Sequence, residues 1–220
     1  MKVIFMGTPD FSVGTLEALV EAGHEVVLAV TQPDKPKGRG KEMQFTPVKE
    51  AALKHNIPVF QPKKVREPEC MEELRKYEAD IMVVIAFGQI LPQEILDMTP
   101  YGCVNVHASL LPKYRGAAPI QWSIIDGEEV TGVTTMQMDA GLDARMLDKK
   151  LGNIDWTKEA VSIERLIRGL NPWPSAYTMW NDKVMKIWAA EVVEVSGEEA
   201  PGTIVAVDKD SFTVQTGHQQ

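Results

Sequence analysis

Ile81-Met82-Val83-Val84-Ile85-Ala86-Phe87-Gly88-Gln89-Ile90-Leu91 is the stretch on which the fold turns. Its first six residues are apolar without a break. A strand with one wet face alternates apolar and polar residues, whereas an unbroken short run suits a strand covered on both faces. Sheets covered on both faces are built from β-α-β units with parallel strands. The flanking sequence supplies such units. Upstream, residues 2–6 read as a buried strand. Residues 12–22 read as a helix, with Leu16, Leu19 and Val20 at helical spacing and Gly23 at its stop. Then come a strand over 25–30, a helix over 47–55 opened by Pro47, a short strand over 58–60 and a charged helix over 67–77. Downstream, the pattern predicts a helix over 91–98, a strand over 103–107, a helix over 118–126 and a strand over 132–138. This is an α/β chain with a Rossmann-like parallel sheet. Ligands of such sheets sit beyond the carboxyl ends of the strands, so the residues after Met6, Ala86, His107 and Met138 are expected to gather at one edge.

Beyond Asp143 the character changes. Residues 157–168 carry an amphipathic helical pattern (Ala160, Ile163, Leu166, Ile167), with Asp155 or Thr157 near the cap. Gly169-Leu-Asn-Pro-Trp-Pro-Ser175 breaks it, and 184–189, 203–207 and 211–216 read as short strands. The division expected is a catalytic domain over 1–143 and a small β-rich domain over 144–220. Trp156 and Trp173, near the join, are expected to pack.

The net charge of −8 argues against a general nucleic-acid binder. Between residues 31 and 64, however, seven Lys and one Arg stand against Asp34, Glu42 and Glu50, a local balance of +5. A basic loop on an acidic protein can dock a specific polyanion. Two cysteines are too few for a disulfide framework. The opening apolar run is too short for a signal peptide, and no stretch approaches the ~20 apolar residues of a membrane span. A soluble cytoplasmic protein is expected, without a membrane partner. The exit of the first strand, Gly7-Thr8-Pro9-Asp10-Phe11, is not a dinucleotide fingerprint, and no phosphate-binding Gly-Lys-Ser/Thr loop occurs.

Chemistry concentrates in Asn105-Val-His107-Ala-Ser109-Leu-Leu-Pro112-Lys-Tyr-Arg-Gly116. Residues two apart on a strand share a face, so Asn105 and His107 point the same way at a carboxyl end. Two polar side chains there need partners or a task. Met138-Asp139-Ala-Gly141-Leu-Asp143 follows another strand, and Gly141 suits a turn that brings Asp143 back over the sheet edge. No second histidine or cysteine pair stands at ligand spacing, so no metal is expected.

Asn-x-His-x-Ser-Leu-Leu-Pro, with the Asp of Gly-Leu-Asp thirty-six residues after the His, resembles the active site of the folate-dependent formyltransferases. The resemblance implies Asn105, His107 and Asp143 as catalytic residues. It implies a folate site lined by Ser109, Leu110, Leu111 and Pro112, with Phe87, Gln89, Ile90 and Leu91 as its pteridine wall. The formyl donor implied is 10-formyltetrahydrofolate. Three further segments are similar to the branch that formylates initiator methionyl-tRNA for translation initiation. The loop 31–41 resembles an inserted tRNA-contacting loop, which implies Lys35, Lys37, Arg39 and Lys41 as tRNA-binding residues. Arg115-Gly-Ala-Ala-Pro-Ile-Gln121 matches this branch, and the segments around 154–156 and 168–177 resemble the start of an OB-like C-terminal β-barrel. A monomer is expected. A formyltransferase for a nucleotide or sugar amine is the alternative of the same class. An inactive fragment that only binds tRNA or folate is the alternative of another class.

The chain departs from the family after Asp143. Relatives continue with Thr-Gly-Asp, a strand, a long helix and a linker, where this sequence runs Ala-Arg-Met-Leu-Asp148 and soon reaches the second domain. An internal section and further C-terminal strands are expected to be missing.

Overall fold

The computed structural model describes residues 1–37, 42–138, 149–194, 197 and 199–217, and these fall into two compact units. The first runs from Met1 to His107 and takes in the strand after Val133; the second holds Ala108–Gly132 and the chain from Lys149 onward.

In the first unit the order is β1 (Lys2–Gly7), α1 (Asp10–Glu21), β2 (Glu25–Val30), β3 (Lys35–Lys37), β4 (Glu42–Gln44), α2 (Pro47–Lys54), β5 (Val59–Phe60), α3 (Pro68–Arg75), β6 (Ile81–Ile85), α4 (Gln93–Leu96) and β7 (Cys103–His107). A six-stranded sheet runs β5-β2-β1-β6-β7 and ends on the strand Thr134–Gln137. The first five of these strands pair parallel. Alternate residues feed two cores, as the unbroken apolar runs require. Ile4, Met6, Leu28, Val30, Met82, Val84 and Cys103 meet Leu74, Phe87, Leu91 and Ile95 on one face. Val3, Phe5, Val26, Ala29, Val83 and Ile85 meet Leu16, Val48, Ala51 and Ala52 on the other. Leu16 is fully buried, worth about 2 kcal/mol in water removed from its side chain. The ends of the helices follow local rules. Thr46 accepts a hydrogen bond from Lys49 N at 3.2 Å with Pro47 just inside α2, and Gly23 takes φ +77° after α1.

The last strand of the sheet departs from expectation. The strand Thr134–Gln137 runs antiparallel to β7, with His107 opposite Thr134 and Val104 opposite Gln137. Met138 N therefore donates to Cys103 O at 2.8 Å, beside the amino end of β7 rather than its carboxyl end. A parallel return needs a crossover helix laid on the sheet. The intervening helix α5 (Pro119–Ile125) instead packs within the second unit. The basic segment, read as a loop, forms the short antiparallel hairpin of β3 and β4, whose Pro36 is tolerated because the pair has two open edges.

With Thr134–Gln137 counted as β8, the second unit adds α6 (Ala160–Gly169), β9 (Ala176–Trp180), β10 (Lys183–Ile187), β11 (Ile204–Val207) and β12 (Phe212–Val214). α6 buries Ile163 and Ile167 against Ile154 and Ala176. It meets α5 at Gly169, where a Cβ would stand 2.7 Å from Ile125 Cγ1 and 3.1 Å from Gln121 O. Glu159, not Asp155 or Thr157, occupies its N-cap. Asp155 instead turns back on Thr157, accepting from its N and hydroxyl at 3.0 and 2.6 Å. β9 and β10 form a hairpin through Asn181-Asp182, both at positive φ, the conformation that a tight two-residue connection requires. β11 and β12 form another antiparallel pair. Among the described residues the β-rich part is these two pairs. Trp156 is partly buried and donates to Thr178 Oγ1 at 3.0 Å, but Trp173, expected to pack, is 58% exposed in the turn before β9.

Candidate active site

β7 delivers the chemistry by alternation. Cys103 lies in the core with Met82, Phe87 and Leu91, whereas Val106 packs against the opposite core. Asn105 and His107 share the face of Cys103 and so continue the side that Phe87 and Leu91 cover. Both are half-buried. Asn105 stands between Val84 of β6 and Met136 of β8, and His107 is paired with Thr134. Among the described residues the Asn105 side chain has no hydrogen-bond partner.

The 86–91 loop, which the resemblance makes a pteridine wall, is part core and part surface. Phe87 and Leu91 are core residues, 2% and 8% exposed. Gln89 is held by the backbone: its Oε1 accepts from Val65 N at 2.7 Å and its Nε2 donates to Pro62 O at 3.1 Å. Ile90 is 69% exposed. The loop therefore offers a ligand Ile90 and its own backbone, bent by Ala86 at φ +46° and Gly88 at φ +81°. Ser109, in the second unit, is fully buried and donates to Lys113 O at 2.7 Å, which closes a turn over Ser109–Lys113. Leu110 is exposed, and its side chain lies over Gly132.

Of the expected tRNA contacts, Lys35 is exposed on β3 and Lys37 ends the same strand. Arg39, Lys41 and Asp143 lie outside the described residues. Among the described residues no group of His, Cys, Asp and Glu is placed to hold a metal.

Sequence reading missed the polar residues that follow the other parallel strands. Thr8 Oγ1 and Gln32 Nε2 both donate to Phe87 O, at 3.2 and 3.0 Å, and Gln61 Nε2 donates to Gln32 O at 2.9 Å. The signal was a polar residue just beyond β1, β2 and β5. Its meaning depends on strand order, which no local pattern carries.

Comparison with known proteins agrees with the fold. The formyl transferase family profile matches residues 1–174, and the formyl transferase C-terminal domain matches residues 146–220. The chain belongs to the formyl transferase family. Its relatives are methionyl-tRNA formyltransferases: that of Agathobacter rectalis is 54% identical, over 99% of this chain and 88% of that protein, and that of Lachnospira eligens is 47% identical, over 99% and 89%. The Agathobacter alignment spans 274 positions against 220 residues here, so at least 54 positions of that relative have no counterpart in this chain. The phosphoribosylglycinamide formyltransferase of Bacillus halodurans shares the fold, with a TM-score of 0.52 at 24% identity over 66% of this chain and 75% of that one.

Proposed function

We propose that Asn105, His107 and Asp143 carry the transfer of a formyl group from 10-formyltetrahydrofolate to the amino group of initiator methionyl-tRNA. The observation that supports this most directly is the placement of Asn105 and His107 side by side on the Phe87 face of β7, with the Asn105 amide without a hydrogen-bond partner among the described residues. The α-amino group, with a pKa of ~8, is about one-tenth unprotonated at pH 7, and that free amine is the nucleophile. It attacks the formyl carbon, forming the new C–N bond and a tetrahedral oxyanion. Asn105 donates a hydrogen bond to that oxyanion, and a ring N–H of His107 adds a second. Asp143 takes the proton lost by the amine, through water. The bond from the formyl carbon to folate nitrogen then breaks, and that nitrogen leaves with the proton returned from Asp143 through water.

Ser109, Leu110, Leu111 and Pro112, with the 86–91 loop, hold the folate. Lys35, Lys37, Arg39 and Lys41 hold tRNA phosphates, and the protein acts as a cytoplasmic monomer. The relatives, 43–54% identical along nearly the whole chain, favour this acceptor over a nucleotide or sugar amine. The test is a formylation assay of the purified chain with charged initiator tRNA and 10-formyltetrahydrofolate. Turnover that depends on His107 supports the reading; binding of tRNA without turnover returns the chain to the class of inactive binders.

A further inference from the structure

The loops at the carboxyl edge of the sheet are tied together by side chains that the proposed reaction does not use. The β3–β4 hairpin departs after Asp34 and returns at Phe45. Its base is closed by three contacts. Asp34 is ion-paired with Lys49, both side chains being largely shielded at 15% and 17% exposure. The Lys49 ammonium also lies 3.9 Å from the centroid of the Phe45 ring, and the Thr31 and Thr46 hydroxyls meet at 2.8 Å. Burial pushes the Asp34 carboxyl up, but the hydrogen bonds from Lys49 and Gln61 and the Lys49 charge outweigh it and hold the group below its usual range.

From this base a polar route leads inward. Gln61 Nε2 donates both to Asp34 Oδ1 at 2.8 Å and to Gln32 O at 2.9 Å. Gln32 in turn grips Phe87 O with its side-chain amide at 3.0 Å. Phe87 lies between Ala86 and Gly88, both at positive φ, a backbone shape that persists only where its surroundings hold it. Gln32 is therefore the residue through which the hairpin base and the 86–91 loop share a constraint: its carbonyl is held from one side and its amide holds the other. Hydrogen-bond networks of this kind carry coupling between sites when both sites bear on them.

We infer that Gln32 is a positioning residue that couples the acceptor-binding hairpin to the donor loop, so that filling the donor site steadies the hairpin strands. The inference rests on the donor role proposed above for the 86–91 loop and on the tRNA role proposed for the hairpin. By linkage the coupling acts in both directions: bound donor favours acceptor binding by the same factor as bound acceptor favours donor.

The experiment is amide hydrogen exchange over residues 35–37 and 42–44, with and without saturating tetrahydrofolate, the deformylated donor. In the parent chain tetrahydrofolate is expected to slow exchange in these strands about fivefold or more, the lower range of measured couplings. Gln32→Met keeps side-chain length and the backbone carbonyl that Gln61 uses, but removes the amide. It is expected to abolish the ligand-dependent slowing while leaving unliganded exchange near the parent's. Gln61→Met cuts the route at its outer end and is expected to act alike, which covers the case in which Gln32→Met does not fold. The Thr8 hydroxyl accepts from Gln32 N at 3.3 Å as well as donating to Phe87 O, so Thr8→Val loosens the same junction and is expected to weaken the slowing. No slowing in the parent, or slowing in both glutamine variants equal to the parent's, overturns the inference. Filter binding of tRNA to Arg39→Ala separates the two ideas. Unchanged affinity there removes the hairpin's tRNA role, and the exchange result still decides whether the hairpin and the donor loop are coupled.

Discussion

The Tyr114 hydroxyl donates a hydrogen bond to Glu128 Oε1 across 2.8 Å, and the Lys113 ammonium donates to both oxygens of the same carboxylate at 2.9 and 3.1 Å. One carboxylate beyond α5 thus anchors the turn that carries Ser109–Pro112. Tyr114 holds φ +57° there, a conformation a bulky residue keeps only when its side chain is anchored.

This anchor should be visible as a pH dependence of stability. The hydrogen bonds from Lys113 and Tyr114 hold the Glu128 carboxyl below its usual range, and burial together with Glu128 and Asp126 pushes the Tyr114 hydroxyl up. A group whose pKa is lowered by folding stabilises the fold above its unfolded value and ceases to do so as pH falls through the folded one. Glu128→Gln is therefore expected to lower the melting temperature by a few degrees at neutral pH. The gap from the parent should close as pH drops through the carboxylate range of about 4 and below. Thermal melts across that range check it; a constant gap would show that the charge does not matter.

The two polar residues of β7 should separate activity from folding. Asn105→Ala is expected to cost about 10²–10³ in kcat, the usual loss for one donor to a developing oxyanion. His107→Ala is expected to cost about 10²–10⁴. Both are half-buried and neither fills the core, so melting temperatures should stay near the parent's. Steady-state kinetics beside thermal melts give the answer, and an active Asn105→Ala would remove this residue from the mechanism.

Gly7 should not tolerate a side chain. A Cβ there would stand 2.8 Å from Ser12 Cβ, 2.9 Å from Phe5 Cε1 and 3.1 Å from Ile85 O. Ser12 is itself fixed, donating to Ile85 O at 2.9 Å. Gly7→Ala is expected to destabilise the chain by about 1–3 kcal/mol, the cost of overpacking a filled site. Urea unfolding measures it.

Both cysteine thiols should resist modification until the chain unfolds. Burial, with a smaller contribution from Asp97, pushes the Cys103 thiol up to about 12, and burial pushes that of Cys70 up as well. The thiolate is the reactive form. An aromatic disulfide reagent at mildly alkaline pH is therefore expected to titrate almost no thiol in the native chain and two in denaturant. Rapid labelling of the native chain would contradict the placement of Cys103 in the core.

Much of this architecture is written locally. The run from Ile81 to Ile85, the helix that places Leu16 inward and the turn at Gly23 follow from periodicity and backbone preference, because a residue's polarity and φ range act within a few positions of it. The alternation that puts Asn105 and His107 on one face is of the same kind. Other features come from contacts between distant segments: the antiparallel course of Thr134–Gln137, the packing of α5 on α6, the burial of Phe87 and Leu91, and the grip of Gln32 on the Phe87 carbonyl. Strand direction and side-chain partners are settled by which surfaces cover one another. That competition is decided only once the whole chain has collapsed, so the sequence names the reactive groups and the fold decides what each of them touches.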